Sequence, residues 1–441
     1  MTGRPGSGFA LRNGGRAFAH RNYRIFFVGQ LVSLVGTWMQ QVAQAWLVLD
    51  LTHNDPFMLG LVTALAFLPV LVLGLFGGLI ADALPKRRTL IVTQVVQMFL
   101  AFVLFGLVVS GAVQVWHILV LATILGITNA VDMPTRQAFI VEMVGRDDVA
   151  NAVALNSAVF NGARIIGPAV AGLTIGLFGG NVSPAFLLNG FSFLAVIVAY
   201  AAMRQSELQA PPRFDRPHSV REVGASLGEG LRYVRRTELV LLATVTVGLV
   251  SMFGMNFGVT IPALARTVLH TDATGYGFLM TATGIGSLIA ALTIAFSGRS
   301  RPVIVPLGAL VLGVALAAAA LVGTFALALV AMLFVGMGAI GMAATANTTV
   351  QLVVPDALRG RVISVYTTVF VGSTPIGGLL MGWIASVYGV QMSLALGGIG
   401  CLVTGTLAFV WLRRIRGRDL FAAAAPVLRE PVPAAAAATP R

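Results

Sequence analysis

Long apolar runs alternate with short polar or Gly/Pro-containing breaks along most of this chain of 441 residues. A helix needs about 20 apolar residues to cross the hydrocarbon core of a bilayer, and the runs reach about that length. Backbone groups in lipid must hydrogen-bond within the chain, which favours helices. The pattern therefore predicts an all-α membrane protein with twelve transmembrane helices, at 25–51, 56–80, 89–110, 115–134, 150–178, 184–203, 238–262, 275–297, 302–323, 325–346, 360–386 and 391–412.

Composition agrees with a membrane location. Hydrophobic residues make up 57% of the chain and charged residues only 10%, which is too little polar surface for a water-soluble globule. The first apolar run follows a basic start, and "AQA" at 43–45 resembles a signal-peptidase site. That run is too long for a signal peptide and many more follow it, so we expect an uncleaved membrane-spanning helix.

Neither an enzyme nor a metal protein is expected. Cys401 is the only cysteine, which excludes cysteine-based metal sites and a disulfide within the chain. The histidines lack metal-ligand spacing, and there is no glycine–lysine loop for ATP. The apolar runs hold no convergent Ser/His/Asp, Cys/His or paired-acid group, so we predict no cofactor and no catalytic residue.

The formal net charge of +13 raises the question of nucleic-acid binding. The breaks after even-numbered runs, together with both tails, hold almost all the lysines and arginines, whereas the other breaks hold only Arg266. This asymmetry follows the positive-inside rule. We therefore expect a multi-pass protein of the inner (plasma) membrane with both termini in the cytoplasm and no nucleic-acid partner.

An internal repeat divides the chain into two halves. "VFNGARIIGPAVAG" at 159–172 and "VFVGSTPIGGLLMG" at 369–382 align without gaps, which predicts two parallel six-helix repeats. Transporters of this plan expose a central site alternately to either side. The predicted domains are a cytoplasmic segment at 1–24, bundles at 25–203 and 238–413, a linker with an amphipathic helix at 204–237, and a disordered tail at 414–441.

A charged break, "GGLIADALPKRRT" at 77–89, separates the second and third runs. Lys86, Arg87 and Arg88 suit anchoring at the anionic inner leaflet, which needs no role in transport. Asp82 is not explained in that way, because acidic residues contribute little to orientation. A carboxylate there can accept hydrogen bonds from a neighbouring helix N-terminus or an arginine, and such a contact could latch one conformation.

These residues resemble the signature of the major facilitator superfamily, which consists of a glycine, three residues, an aspartate and a basic cluster. In that family the loop latches the cytoplasmic side of an outward-facing carrier, so the resemblance implies a gating role here. This chain has Ala83 and Pro85 where the family usually has arginine and glycine. The residues that match the signature are Gly78, Asp82, Lys86, Arg87 and Arg88.

Two further stretches narrow the resemblance, "RNYRIFFVGQLVSLVGTWMQQVAQAWLVLDLT" at 21–52 and "NAVDMPTRQAFIVEMVGRDDVANAVALNSAVFNGARIIGPAVAG" at 129–172. They are similar to the drug/proton antiporter branch of transmembrane secretion effector type, which includes macrolide efflux pumps and the enterobactin exporter. The resemblance implies proton-coupled secondary active export of hydrophobic or amphipathic small molecules, drug-like or siderophore-like. "GPAVAG" resembles the antiporter motif of the fifth helix, although Ala171 replaces its first glycine.

A second charged cluster surrounds the fourth and fifth runs. Arg164 lies inside the fifth run, where an unpaired charge is costly, so we expect it to pair with Asp132 or Glu142. A static ion pair and a network remade during transport both remain open. We include Asp132, Arg136 and Arg164 among the predicted gating residues. We also include Gly167, Pro168 and Gly172, which make the fifth helix smooth and kinkable.

Substrate and proton sites are harder to predict. The fold places helices 1, 4, 7 and 10 around a central cavity, which nominates Trp38, Gln40, Gln44, Met252 and Asn256, while amide contacts between helices equally explain the glutamines. Acids are absent from helix midpoints, so the proton-coupling candidates are Asp50 and Asp132.

The expected partners are a small-molecule substrate, protons and membrane lipids, and we expect a monomer. The alternative functions are lipid or lysophospholipid transport and a non-transporting membrane scaffold.

Overall fold

The computed structural model describes residues 15–209, 220–297 and 301–424, except for the side chains of 75–83, 220, 221, 223 and 418. Within these residues the chain is built of helices and contains no strand. The N-terminal half has six long helices: α1 (Arg21–Leu51), α2 (Pro56–Ala83), α3 (Lys86–Val109), α4 (115–144), α5 (146–177) and α6 (Ser183–Ala201).

The C-terminal half repeats this arrangement after a linker helix, Val220–Arg236. Its first helix, α7, has two segments, Glu238–Gly254 and Phe257–Thr267, separated at Met255 and Asn256. The others are α8 (Ala273–Ser297), α9 (Ile304–Leu321), α10 (Phe325–Val353), α11 (Asp356–Tyr388) and α12 (Val390–Arg416). Short 3-10 helices lie at Arg16–Ala19, Gln205–Glu207 and Gly417–Asp419.

Helices α4 and α5 form one helical run, Val115–Leu177, broken at Gly145. Gly145 has φ 74° and ψ 178°, a left-handed region that side chains with a Cβ avoid. The side chain of Gln209 packs where a Cβ would stand. Within the described residues eleven helical runs are long and apolar enough to span a membrane, and dividing Val115–Leu177 at Gly145 gives the twelve predicted helices.

Helix α4 is longer than the sequence predicted, because it continues from 134 to 144 beyond its apolar run. The extension is stabilised by a cluster of buried side chains that includes Phe139, Ile140, Met143, Tyr23 and Tyr200. The cluster joins α1, α4 and α6. Helix α10 likewise continues to Val353 instead of ending at 346.

Equivalent helix pairs pack in both halves, as expected for parallel repeats. Helix α2 packs on α4 as α8 packs on α10, and α3 packs on α6 as α9 packs on α12. The two halves meet through α2 against α11 and α5 against α8. We call the end of the bundle with the start of α1 and the end of α12 the terminal side, and the other end the opposite side.

Candidate transport pathway

The two halves touch closely on the opposite side, through backbone packed against backbone. A Cβ added to Gly277 of α8 would lie 2.5 Å from the carbonyl oxygen of Pro168 in α5. Thr274 donates a hydrogen bond to the carbonyl oxygen of Gly172 (3.0 Å), and Thr281 donates one to that of Ile165 (3.2 Å). Of the predicted residues of α5, Pro168 and Gly172 therefore form part of the seam between the halves.

Helices α2 and α11 form the matching seam. The backbone of Gly60 packs directly against that of Gly378, and a Cβ on Gly382 would lie 3.0 Å from the carbonyl oxygen of Pro56. Pro56 begins α2 at the opposite side, and Tyr388 ends α11 there. Both seams thus close the same end of the molecule.

Four side chains add a polar and aromatic contact across this closed end, and we call them the opposite-side gate: Trp46, Asp50, Arg266 and Tyr276. Arg266 Nη2 donates to Asp50 Oδ1 at 2.5 Å, which joins α7 to α1. The Arg266 guanidinium carbon also lies 4.6 Å from the centroid of the Trp46 ring. Trp46 in turn stacks on Tyr276 of α8, with ring centroids 6.3 Å apart and planes at 17°.

On the terminal side the face of α1 that carries Trp46 is uncovered. Val28 lies five helical turns before Trp46 and therefore on the same face of α1. Trp46 is 6% exposed, whereas Val28 is 62% exposed. The surface of α1 that faces the C-terminal half is thus buried on the opposite side and open on the terminal side.

Helix α5 shows how far this opening reaches. Gly167 packs on α1, whereas Ile165 and Gly172 contact α8. A stripe of α5 side chains lies between these two faces. In this stripe Val153 is 51% exposed, whereas Ala171 is fully buried. We call the space beside this stripe the central cavity; it opens to the terminal side and ends near the middle of α5.

Only Trp38 of the five predicted cavity residues has a contact that points to this space. It lies on α1 beside Phe160 of α5, with ring centroids 5.7 Å apart and an angle of 71° between planes. Gln40 instead accepts a hydrogen bond from Asn189 Nδ2 of α6 at 2.6 Å. It therefore connects two helices through an amide contact, which was the alternative to lining the cavity. Gln44 lies one turn further on, on the same side of α1.

Met252 and Asn256 lie at the interruption of α7. Asn256 Nδ2 donates to the carbonyl oxygen of Met252 at 2.8 Å, and the Asn256 side chain is buried against Gly377 of α11. Asn256 Oδ1 has no hydrogen-bond partner among the described residues. The pair therefore holds the bend of α7 against α11, and it does not line an open wall in this conformation.

The basic cluster of the charged break ties helices together within the N-terminal half. Lys86 Nζ donates to Glu142 Oε1 at 2.7 Å, which joins α3 to the end of α4. Arg87 donates to the carbonyl oxygens of Tyr200 and Ala201, both at 2.7 Å, and so caps the C-terminus of α6. Arg88 is exposed. The predicted gating residues Gly78 and Asp82 lie outside the residues whose side chains the structure describes.

Asp132 is fully buried and has a complete set of partners. Thr93 and Gln94 of α3 donate to its Oδ1 at 2.7 and 3.0 Å, and Arg136 donates to its Oδ2. The expected pairing of Arg164 with Asp132 or Glu142 is wrong, because Arg136 and Lys86 occupy those carboxylates. The Arg164 guanidinium carbon instead lies 5.9 Å from the centroid of the Trp38 ring.

Sequence reasoning missed Arg266, Trp46 and Tyr276 as gate residues. A signal was available, since Arg266 is the single basic residue in the breaks predicted to lie outside and Asp50 is an acid at the end of a neighbouring run. Within the described residues no group of three or more His, Cys, Asp or Glu side chains could hold a metal ion.

Comparison with known proteins gives consistent matches over nearly the whole chain. A family model described as transmembrane secretion effector matches residues 15–436. A staphyloferrin A transporter of Staphylococcus aureus is 26% identical over 89% of this chain and 96% of its own length. The multidrug efflux pump Tap of Mycolicibacterium fortuitum is 29% identical over 88% of this chain and 95% of its own length.

The fold has solved counterparts. A crystal structure of a variant of the nucleoside transporter NupG superposes with a TM-score of 0.72 and covers 89% of this chain and 100% of its own. The sequences are 11% identical, so this likeness concerns the fold alone. The predicted fold class, a bundle of twelve helices in two parallel six-helix repeats, is confirmed.

Proposed function

Because the chain belongs to the transmembrane secretion effector family of the major facilitator superfamily, we propose that it is a secondary active exporter of hydrophobic or amphipathic small molecules. It exchanges these molecules for protons across the plasma membrane by alternating access. One observation carries the proposal: the face of α1 that is covered at Trp46 is uncovered at Val28. A pathway closed at one end and open at the other is what a carrier has in one of its two states.

The relatives support the substrate class. One is a siderophore transporter and another a multidrug efflux pump, and both match this chain along almost its full length. The substrates of drug efflux pumps are organic molecules of moderate size, many with apolar or aromatic parts. A cavity with Trp38 and Phe160 on its wall suits such molecules better than it suits sugars or inorganic ions.

The terminal side is the cytoplasmic side in this proposal. The breaks on that side, the linker and both tails carry nearly all the lysines and arginines, and positive loops stay in the cytoplasm. The conformation described here is then inward-facing, with the gate at Asp50 and Arg266 closing the external end. Substrate enters the central cavity from the cytoplasm or from the inner leaflet.

The opposite-side gate is weak enough to open during a transport cycle. A partly exposed ion pair contributes about 0–1 kcal/mol, a stacked aromatic pair about 0.5–1.5 kcal/mol, and a cation–π contact with a buried ring about 1–2 kcal/mol. Their sum is a few kcal/mol, which is comparable to the usual free-energy difference between two conformations of one protein. Binding of substrate or a proton can therefore shift the balance.

The Asp132 cluster behaves differently in this proposal. Removing one partner of a buried ion pair costs about 3–5 kcal/mol, so the contacts of Asp132 stay intact while the halves rock. Asp132, Arg136, Lys86 and Arg87 then hold the N-terminal half as one rigid body. Asp82 remains our candidate for the latch that closes the cytoplasmic end when the external end is open.

Asp50 is the stronger of the two proton-coupling candidates. Its side chain is 41% exposed and its partner belongs to the other half, so its environment changes when the halves move. Asp132 has three polar partners, Thr93, Gln94 and Arg136, and its side chain is fully buried in this state. The pathway runs between the two halves of one chain, so we propose a monomer with lipids around it.

Proteoliposomes test this function. An imposed proton gradient, an internal pH dye and a panel of siderophore-like, drug-like and lysophospholipid compounds are compared for wild type, Asp50→Asn and Asp82→Asn. We expect substrate-dependent proton movement in wild type and a reduction of several fold in each variant. Lysophospholipid transfer without proton movement would replace this function with lipid transport, and no flux with any compound would favour a scaffold.

A further inference from the structure

Arg164 lies at the closed end of the central cavity. It is 18 residues beyond the start of α5 at 146, which corresponds to a depth of about 27 Å at 1.5 Å per residue. The lipid-facing stripe of α5 carries the exposed side chains of Ile166, Leu173 and Leu177. Arg164 lies about 200° around the helix from Ile166, so its side chain leaves α5 on the face between α1 and α8.

No protein anion balances this charge within the described part of the chain. Asp132 pairs with Arg136, Glu142 with Lys86, and Asp50 with Arg266, and the structure gives Arg164 neither a hydrogen bond nor an ion pair with a described residue. A cation at such depth in a membrane protein normally pairs or faces a pathway, because an isolated charge there is costly. Arg164 therefore faces the central cavity, and no counter-charge for it lies among the described side chains.

The surroundings of Arg164 indicate what kind of molecule that is. Its guanidinium carbon lies 5.9 Å from the centroid of the Trp38 ring. Trp38 packs edge-on against Phe160, which is one turn nearer the mouth of the cavity and is exposed. Val153 and Ser157, further along the same stripe, are also exposed. A fixed cation at the end of an apolar and aromatic wall is complementary to an anionic group on an apolar body.

We propose that Arg164 is a substrate-binding residue and that the transported molecules are amphipathic anions. A carboxylate of the substrate accepts hydrogen bonds from the Arg164 guanidinium, and its aromatic or alkyl body lies along Trp38 and Phe160. This inference rests on the transport function proposed above and names the substrate class of that same cavity.

The assignment also explains how cargo permits the cycle. Closing the cytoplasmic end over an empty cavity would enclose the unpaired guanidinium of Arg164, which is unfavourable. A bound carboxylate neutralises the charge, so the loaded carrier closes more readily than the empty one. Substrate binding and conformational change are thereby coupled through a single side chain.

A binding experiment tests the proposal without requiring transport. The protein is placed in phosphatidylcholine nanodiscs and titrated with dansylglycine and with dansylglycinamide, which share a fluorophore and differ in the carboxylate. The variants are Arg164→Gln and Arg164→Lys, and the matched control is Arg414→Gln, which removes one exposed positive charge at the end of α12. Size-exclusion chromatography and thermal unfolding of the same samples report independently of either probe whether each variant is folded.

We expect wild type to prefer the carboxylate probe. Arg164→Gln should weaken dansylglycine binding by about 10- to 100-fold, the range expected for a charge-assisted hydrogen bond, with dansylglycinamide changed by less than about 3-fold. Arg164→Lys should retain part of the preference, and Arg414→Gln all of it. Equal weakening of both probes, or no weakening of either, overturns the assignment.

Anionic lipid is the other possible source of the charge. The titration is repeated in nanodiscs that contain phosphatidylglycerol. Unchanged dansylglycine affinity in these nanodiscs supports a small-molecule site. If phosphatidylglycerol instead competes with dansylglycine in wild type but not in Arg164→Gln, the site binds lipid phosphate and the proposal is overturned. If Arg164→Gln still exports neutral compounds in exchange for protons, the proposed transport function stands. In that case amphipathic anions are not the substrate class.

Discussion

The contact between the two halves and the interior of the N-terminal half use charged side chains in opposite ways. At the opposite side one ion pair among the described residues, the partly exposed Asp50 with Arg266, connects the two halves. At the terminal side Lys86 with Glu142 and Asp132 with Arg136 are largely buried, and both pairs stay within the N-terminal half. Weak exposed contacts can be exchanged in a transport cycle, whereas buried contacts preserve the shape of the part that moves.

The largest expected effect comes from breaking a buried ion pair, that of Asp132 with Arg136. Asp132→Ala leaves Arg136, Thr93 and Gln94 without their shared acceptor, so we expect a loss of about 3–5 kcal/mol of stability. Chemical denaturation in detergent micelles measures the change. The control is Asp356→Ala, which removes an exposed acid paired with Arg359 at the start of α11 and should cost about 1 kcal/mol or less. Equal losses would contradict the distinction between buried and exposed pairs.

The next effect concerns the seam that closes the opposite side. Gly277→Ala places a methyl group 2.5 Å from the Pro168 carbonyl oxygen, which the closed seam cannot accept without separation of α5 and α8. A penalty of about 1–3 kcal/mol is expected for the closed state, so open molecules should become roughly 10-fold more common. Distances between spin labels at His53 and Asp272 measure the populations. Gly162→Ala, where an added Cβ meets nothing within 4 Å, should leave them unchanged.

A smaller effect is expected at the gate itself. Asp50→Asn and Arg266→Gln should each shift the same spin-label distances toward the open state by about 1 kcal/mol or less. Because the pair is partly exposed, high salt should reproduce part of the shift in wild type and should have little influence on the variants. A double variant equal to the sum of the two single variants would show that the two side chains do not act together.

The smallest effects separate two adjacent arginines. Arg87→Gln removes the cap of α6 and should cost about 1 kcal/mol of stability, whereas Arg88→Gln should change stability by less than about 0.5 kcal/mol. Thermal unfolding followed by size-exclusion chromatography can rank the two variants. An equal cost for both would mean that total positive charge matters here and that the Arg87 hydrogen bonds do not.

Much of the fold could be predicted from the sequence because membrane helices are determined locally. The apolar runs placed the helices, and the glycine-rich match between 159–172 and 369–382 indicated the repeat. The extension of α4 to 144 was missed, since Phe139 and Met143 are stabilised by packing on distant parts of the chain. The break at Gly145 likewise packs against a residue distant in sequence, Gln209.

The candidate site was less predictable because side-chain pairing is a tertiary property. Arg136, four residues from Asp132, was a local partner, yet Arg164 competed for the same acid in the sequence. Gln40 could have faced the cavity or α6, and only the position of Asn189 decides between them. The domain bounds and the roles of Gly78 and Asp82 stay predictions.

The glycine seams have a consequence for the speed of the cycle. Where Gly60 meets Gly378 and Gly277 meets Pro168, backbone lies against backbone, and the glycines place no side chain in the contact. Helices that pack in this way can roll past one another without forcing rotamers through eclipsed positions, which keeps the activation barrier low. These glycines set a kinetic property, and filling the seam should slow turnover even where both end states still form.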